Sequence, residues 1–279
     1  MIVNETKQIL AKYNVHVKKA YGQNFLIKEH VMNEIIEYSG ISDQTCVIEI
    51  GPGLGGLTEY LAKKAKKVLC YEIDKQMVEI LNDTLSAYDN IIVENKDFLK
   101  VDLQKDIKLF LGDCIDIRVV ANLPYYITTP IIFKLLESST IENFIFMIQK
   151  EVGARLTGRP NTKDYNALSV LMEYKTKSRI VANVSRKCFY PEPNVDSVLI
   201  QIKTIKSDYG VINEPRFLDF VQAIFMQRRK TILNNVSSYY KIDKKMIEDI
   251  ISKQGLDINV RAEALNIKEI ADLYIALFE

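Results

Sequence analysis

Histidine is almost missing: in 279 residues there are only His16 and His30. A histidine-built metal site or a Ser-His-Asp triad has little to draw on, so metalloenzyme and hydrolase readings lose ground. Cysteine is sparse as well. Cys46, Cys70, Cys114 and Cys188 form no Cys-x-x-Cys pair, and three of them sit in or beside apolar runs where a reduced thiol behaves as a small hydrophobe. The expectation is no disulfide, no cysteine-held zinc and no metal. Long apolar stretches are lacking: none approaches the roughly 18 residues of a membrane helix, and Met1 to Thr6 does not open a basic-then-apolar export signal. These absences predict a soluble, cytoplasmic protein with no membrane contact. Internal repeats and low-complexity tracts are absent, and nothing asks for an obligate dimer, so a monomer is expected.

What is present is ordinary in bulk and uneven in detail. With 48% hydrophobic and 26% charged residues, the chain has material for one large domain and a small second one. The net charge of +1 hides a division. Residues 41–149 hold 11 Lys and Arg against 16 Asp and Glu, whereas residues 150–187 hold 9 against 3. That basic block, which includes Lys150, Arg155, Arg159, Lys163 and Lys175, reads either as a solvated face or as a surface that tracks phosphates.

His16, Lys18 and Lys19 close a short amphipathic N-terminal segment that reads as an arm. Tyr21 to Leu26 forms a compact polar and aromatic turn ahead of a helix with Val31, Ile35 and Ile36 at helical spacing and Gly40 as its left-handed cap. Strand signals follow at Cys46–Ile50, Val68–Tyr71, Asn90–Val93, Arg118–Ala121 and Asn143–Ile148. The first leads into Gly51-Pro52-Gly53-Leu54-Gly55-Gly56 and a helix from about Leu57 to Lys64. Gly51, Gly53 and Gly56 satisfy G-x-G-x-x-G, which marks a nucleotide-like site without naming its occupant. Glu72 ends the second strand at a distance where an acid commonly holds a ribose diol, with Asp74 as the alternative. Asp97 sits at a loop tip after the third strand, where it can accept from an adenine amine, and the fourth strand delivers Asn122.

Asn122-Leu123-Pro124-Tyr125, after the apolar run Val119-Val120-Ala121, reads as a buried parallel strand ending in a loop, the place where open α/β sheets put their chemistry. Pro124 disfavours helix at Leu123, so the backbone beyond the strand is expected to stay extended with its carbonyls facing outward. An amide, fixed carbonyls and an aromatic ring suit a planar group that carries an NH2, an amino base above all. A strand end with a turn proline and a packed tyrosine is the competing reading. Residues 188–205 pair a stiff Phe189-Tyr190-Pro191-Glu192-Pro193 loop with a strand at Val198–Ile202. Phe189 reads as a stacking or a core aromatic, and the pattern leans to core.

Helix signals dominate from about 206 onward: Pro215 in a first turn, Asp243 capping Lys244 to Gln254 with Gly255 behind it, and Asn266 with Glu269 as a capping box. The expected division is therefore 1–205 for a sheet domain with an N-terminal arm, and 206–279 for a small all-helical domain.

Gln23-Asn24-Phe25-Leu26, Glu49-Ile50-Gly51-Pro52-Gly53-Leu54-Gly55, Asn122-Leu123-Pro124-Tyr125 and Phe189-x-Pro191-x-Pro193-x-Val195-x-Ser197 together resemble the ribosomal RNA adenine dimethyltransferases over nearly the whole chain. Gln227-Arg228-Arg229-Lys230-Thr231-Ile232-Leu233 and Arg261-Ala262-Glu263 make it most similar to the small-subunit (16S) branch, since large-subunit relatives that confer macrolide resistance share the first three motifs and the tail is what separates them. The resemblance implies a Rossmann-like S-adenosylmethionine-dependent α/β fold with a small C-terminal helical domain. It implies cofactor contacts at Asn24, Leu26, Gly51, Gly53, Glu72, Ile73, Asp97, Phe98 and Asn122. It further implies a target adenine held by Asn122, Leu123, Pro124 and Tyr125 with Phe189 on its other face, and 16S rRNA touching Lys150, Arg155, Arg159, Arg228, Arg229 and Lys230. Tyr126 departs from the resemblance, because many relatives carry asparagine or another polar residue there, and no role is assigned to it. Rival readings are a large-subunit methyltransferase, an NAD-dependent dehydrogenase built on the glycine loop, and a ribosome-assembly binding module.

Overall fold

The computed structural model describes residues 3–15 and 23–279, so His16, Lys18 and Lys19 of the expected arm, with Tyr21 and Gly22, lie outside the described residues. Nine strands are described: β1 (Phe25–Leu26), β2 (Thr45–Ile50), β3 (Lys67–Tyr71), β4 (Ile91–Glu94), β5 (Asp116–Asn122), β6 (Asn143–Gln149), β7 (Thr176–Val184), β8 (Phe189–Tyr190) and β9 (Ser197–Thr204). Seven of them form one sheet in the order β4-β3-β2-β5-β6-β9-β7, while β1 and β8 make a separate two-stranded ladder. The run from β4 to β6 is parallel and β9 is antiparallel to β6.

A parallel strand covered on both faces has no polar side, which is why Thr45–Ile50 is buried at every residue, Glu49 included. The helices Glu29–Ser39 and Gly56–Ala62 cover one face, setting Val31, Met32, Ile35 and Leu61 against Val47, Val120 and Ile145. Gly40 ends the first of these helices at φ 58°, the left-handed cap the sequence asks for. The chain builds β2, β3 and β4 outward in one direction and then returns to lay β5 and β6 on the other side of β2. That reversal opens a crevice at the carboxyl ends of β2 and β5.

The chain clusters into two compact units, Met1–Gly153 with Arg179–Thr204, and Ala154–Ser178 with Ile205–Glu279. The expected cut at 205 assigned residues 154–178 to the sheet domain, and they belong instead to the helical unit. Tyr165, Val170 and Tyr174 lie in the same apolar core as Phe217, Phe220 and Tyr274, and the Tyr165 hydroxyl donates to the Leu265 carbonyl at 2.9 Å. Within this unit Pro215 stands in the first turn of Glu214–Phe225, Asp243 caps Lys244–Lys253, and Asn266 with Glu269 closes a capping box on Ile267–Phe278.

One further expectation is corrected, and one strand is added. Cys46 and Cys114 form a disulfide, contrary to the reading of four reduced thiols. Parallel pairing sets Cys46 opposite Ile117, which brings the loop before β5 to the start of β2 across 68 residues of sequence, and spacing along the chain carries no trace of that approach. Cys70 and Cys188 are free and buried. Thr176–Val184, for which the sequence offered no strand signal, is a sheet strand at one edge, with Lys177 and Arg179 of the basic block alternating along it.

Candidate active site

The crevice at the switch point holds a cavity of about 240 Å³. Its floor is the glycine turn after β2. Gly53 has φ +59°, a conformation that favours glycine, and a Cβ there would press on the Phe25 ring at 3.1 Å. The Gly53 N–H donates to Glu72 Oε2 at 3.1 Å, and the Asp74 N–H donates to Glu72 Oε1 at 2.9 Å. Each carboxylate oxygen retains a further lone pair, the number a vicinal diol needs. Burial pushes the Glu72 carboxyl up, while the backbone N–H donors of Asp74 and Gly53 pull it down. Asp74 caps the helix Lys75–Thr84 and accepts from the Gln23 amide at 3.2 Å, so of the two candidate acids Glu72 is the one on the cavity wall.

At the opposite wall Asp97 caps a short turn, accepting from the Leu99 N–H at 3.0 Å, and Ile73, Phe98 and Tyr71 supply apolar surface. Tyr71 is tied down from behind: its hydroxyl donates to Asp106 at 3.2 Å, and Lys96 donates to the same carboxylate at 2.9 Å. Asn95 donates to the Glu72 carbonyl at 2.8 Å and so joins the ends of β3 and β4. The sequence reading overlooked this network, because Asp106 lies in a helical stretch with no motif to announce it.

Asn122 ends β5 with its amide nitrogen donating to the Asn24 carbonyl at 3.1 Å. That bond settles which way the amide faces and leaves its oxygen as an acceptor for the cavity. The backbone is extended only as far as Pro124, whose carbonyl accepts from the Ile127 N–H at 3.2 Å and the Thr128 hydroxyl at 3.1 Å. The expectation of outward-facing carbonyls along the whole loop is therefore narrowed: among the described bonds none falls on the Leu123 carbonyl, which remains the second acceptor. Tyr125 opens a short turn, Tyr125–Ile127, and its hydroxyl hydrogen-bonds the buried Ser197 hydroxyl at 2.8 Å. Ser197 was visible in the sequence only as the last letter of a motif.

Asn24, Leu26, Gly51, Gly53, Glu72, Ile73, Asp97, Phe98, Asn122, Leu123, Pro124 and Tyr125 thus converge on one cavity. Phe189 does not. Its pairing with Leu26 across the β1/β8 ladder turns the ring into the core among Leu26, Met147 and Leu199, where it is 2% exposed. Of the basic residues, Lys150 belongs to the sheet unit and Arg155, Arg159, Arg228, Arg229 and Lys230 to the helical unit. All six are exposed. Arg159 lies 3.7 Å from Glu173 and Arg228 3.5 Å from Glu263, and no described ion pair engages Arg229 or Lys230. No group of three His, Cys, Asp or Glu that could hold a metal occurs among the described residues. No described helix is long and apolar enough to cross a membrane.

A mostly parallel sheet with a glycine turn, a buried acid, and an amide and a free carbonyl at its switch point is the arrangement of a Rossmann-like S-adenosylmethionine-dependent methyltransferase. The profile of the family described as ribosomal RNA adenine dimethylase matches residues 14–278. The chain belongs to that family: it is an S-adenosylmethionine-dependent rRNA adenine dimethyltransferase. It is 47% identical to the ribosomal RNA small subunit methyltransferase A of Bacillus cytotoxicus over 98% of this chain and 96% of the relative, and 46% identical to that of Bacillus mycoides over the same shares. Among solved structures it resembles a dimethyladenosine transferase from Plasmodium falciparum (TM-score 0.74, 26% identity, 90% of this chain and 96% of that one). It also resembles the 23S rRNA methyltransferase ErmE (TM-score 0.71, 26% identity, 92% of this chain and all of that one).

Proposed function

We propose that the chain methylates the exocyclic N6 amines of two adjacent adenines in a 3′-terminal hairpin of 16S rRNA, giving N6-dimethyladenines during small-subunit biogenesis in the cytoplasm. The observation that carries this reading is its likeness, at 47% identity and almost end to end, to a relative named as a small-subunit enzyme. The tail motifs Gln227 to Leu233 and Arg261 to Glu263 support the same branch.

S-adenosylmethionine, when bound, supplies an electrophilic methyl on a sulfonium. Glu72 and the Gly51–Gly53 turn would hold it, with Ile73 and Phe98 at its base and Asp97 at the adenine amine. Asn122 Oδ1 and the Leu123 carbonyl accept the two N–H groups of the target. An aromatic amine conjugated to its ring is a poor nucleophile, and two acceptors set off the ring plane favour the pyramidal, more nucleophilic nitrogen. Tyr125 stacks on the base and lowers the cost of extruding it from RNA, a few kcal/mol. No strong general base is needed, since the product ammonium is acidic and loses its proton to water. Alignment supplies much of the acceleration. In this reading the helical unit meets RNA phosphates through Arg228, Arg229 and Lys230, with Lys150, Arg155 and Arg159 as further contacts, and the chain acts as a monomer. Phe189 acts by holding β1, and with it Asn24, rather than by stacking on the base.

The test is transfer of labelled methyl to undermethylated small ribosomal subunits and to protein-free large-subunit RNA, side by side. Dimethyladenine in the small-subunit RNA is the expected result, and label only in the large-subunit RNA overturns the assignment. Asn122→Ala is expected to lower the transfer rate by about two to three orders of magnitude, the scale of removing one positioned hydrogen-bonding group. Circular dichroism should show the variant folded.

A further inference from the structure

The turn that carries Asp97 and Phe98 into the cavity is held from outside as well as from within. Phe98–Lys100 is a single 3₁₀ turn, and a turn this short relies on partners beyond it for its last carbonyls. Lys134 is such a partner: its ammonium donates to the Leu99 carbonyl at 3.0 Å and to the Val101 carbonyl at 2.6 Å. The same group stands over the Phe98 ring, 5.7 Å from its centroid. Tyr71, fastened by Asp106, also packs on that ring, with centroids 5.4 Å apart. Asp97, Phe98 and Leu99 line the cavity and Lys134 does not, so the lysine acts on a ligand only through the turn.

Lys134 belongs to the helix Thr128–Leu136, which starts directly after the turn Tyr125–Ile127. At the head of this helix the Thr128 hydroxyl donates to the Pro124 carbonyl at 3.1 Å. Lys134 stands about 9 Å further along the axis, at about 1.5 Å per residue. Ile131, Ile132 and Leu135 are buried, which fixes the rod between these two points. One helix thus meets both halves of the proposed site, the target loop at its start and the cofactor's adenine turn near its end. Methyl transfer needs nitrogen, methyl and sulfur in line, so a small displacement of either half costs rate.

We propose that Lys134 is a positioning residue for methyl transfer, tying the turn that faces the cofactor's adenine to the helix that begins at the target loop. The proposal rests on the reading that places that adenine at Asp97 and Phe98 and the target at Asn122. Loss of the ammonium is felt first at the adenine end of the cofactor, and through it in the alignment of the methyl.

Calorimetry on wild type, Lys134→Met and Lys134→Arg measures affinity for S-adenosylmethionine and for 5′-methylthioadenosine, its fragment without the amino-acid part. Methyl transfer to undermethylated small subunits at saturating cofactor gives kcat and KM. Lys134→Met is expected to weaken both ligands by the same factor, about fivefold to tenfold, below the full worth of two charge-assisted hydrogen bonds because water reaches the freed carbonyls. Its kcat should fall about threefold to tenfold while KM for the subunits stays within about twofold, a split that general loss of stability does not produce. Lys134→Arg keeps charge and donors and should stay within about threefold of wild type in every constant. Should Lys134→Met melt well below wild type, Lys134→Gln, which keeps a shorter donor, carries the same comparison.

Unchanged affinity in Lys134→Met overturns the proposal, as does a loss confined to S-adenosylmethionine, an unchanged kcat, or an equal loss in Lys134→Arg. Asp97→Asn separates the proposal from the reading beneath it. Unchanged methylthioadenosine affinity in that variant overturns the placement of the adenine, whereas a loss there beside unchanged affinity in Lys134→Met overturns the role of Lys134 alone. If wild type labels only protein-free large-subunit RNA, the 16S assignment fails, and the same comparison on that RNA judges Lys134 by itself.

Discussion

Tyr125 shows how one hydrogen bond divides a residue's work. Its ring faces the cavity while its hydroxyl meets Ser197, a buried side chain from the start of β9, 72 residues away. Burial raises the Tyr125 phenol and the Ser197 hydroxyl draws it back, so the pair stays neutral across the physiological range. Removing one partner strands the other, at about 1 to 3 kcal/mol. Ser197→Ala and Tyr125→Phe are each expected to lower kcat/KM about fivefold to thirtyfold, Ser197→Thr to restore most of it, and the double variant to lose no more than the worse single. Additive losses in the double-mutant cycle would show that the bond does not couple the two positions.

At the scale of elements, β2 places a carboxyl where none is comfortable. Glu49 is buried next to the glycine turn; burial raises its carboxyl to about 8, the nearby Glu72 charge adds to the rise, and the Cys70 thiol opposes it. The unfolded chain releases this proton near the ordinary value of 4.5, whereas the folded chain keeps it until about 8. Across that window the folded state binds the extra proton, so stability falls as pH rises from about 4.5 to about 8 and levels off above. Glu49→Gln removes the titration. The stability of the cofactor-free variant relative to wild type should therefore increase between pH 5 and pH 8, by on the order of 3 to 5 kcal/mol in urea titrations. A difference that stays flat with pH would place the charge cost elsewhere.

Over the whole molecule, the charge division noted along the chain is split between two units, so the stretch 150–187 is not one continuous patch in a single domain. Lys150, Arg179, Arg186 and Lys187 belong to the sheet unit, and Arg155, Arg159, Lys163 and Lys175 to the helical unit. Lys175 is paired with Glu214 at 2.6 Å and Arg159 with Glu173, whereas no described ion pair engages Arg229 or Lys230 of the helical unit. Replacing both with glutamine should lower the slope of log affinity for small subunits against log salt by about 1 to 2. Cofactor affinity and melting temperature should not move, because both side chains are exposed.

The amino-acid order by itself determined the parallel strands, the glycine turn, the polar residues Glu72, Asp97 and Asn122 that follow three of them, and the caps at Gly40, Pro215, Asp243 and Asn266. These are local: strand signals come from continuous apolar runs, caps from one side chain and the next turn of backbone, and the glycines from a required φ. Glu72, Asp97 and Asn122 were legible for the same reason, since each follows a strand that its apolar run marks, whereas Asn24, Leu26, Ile73 and Phe98 came only from the family resemblance. Tertiary structure alone decided what depends on approach between distant segments. The Cys46–Cys114 bond needs β2 and β5 side by side, and the membership of 154–178 needs Tyr165 to reach Leu265. The core position of Phe189, toward which its sequence pattern leaned, is settled against the stacking role by the pairing of β8 with β1. Asn122 was named from its neighbours in sequence, but which way its amide faces is set by the Asn24 carbonyl, 98 residues back along the chain.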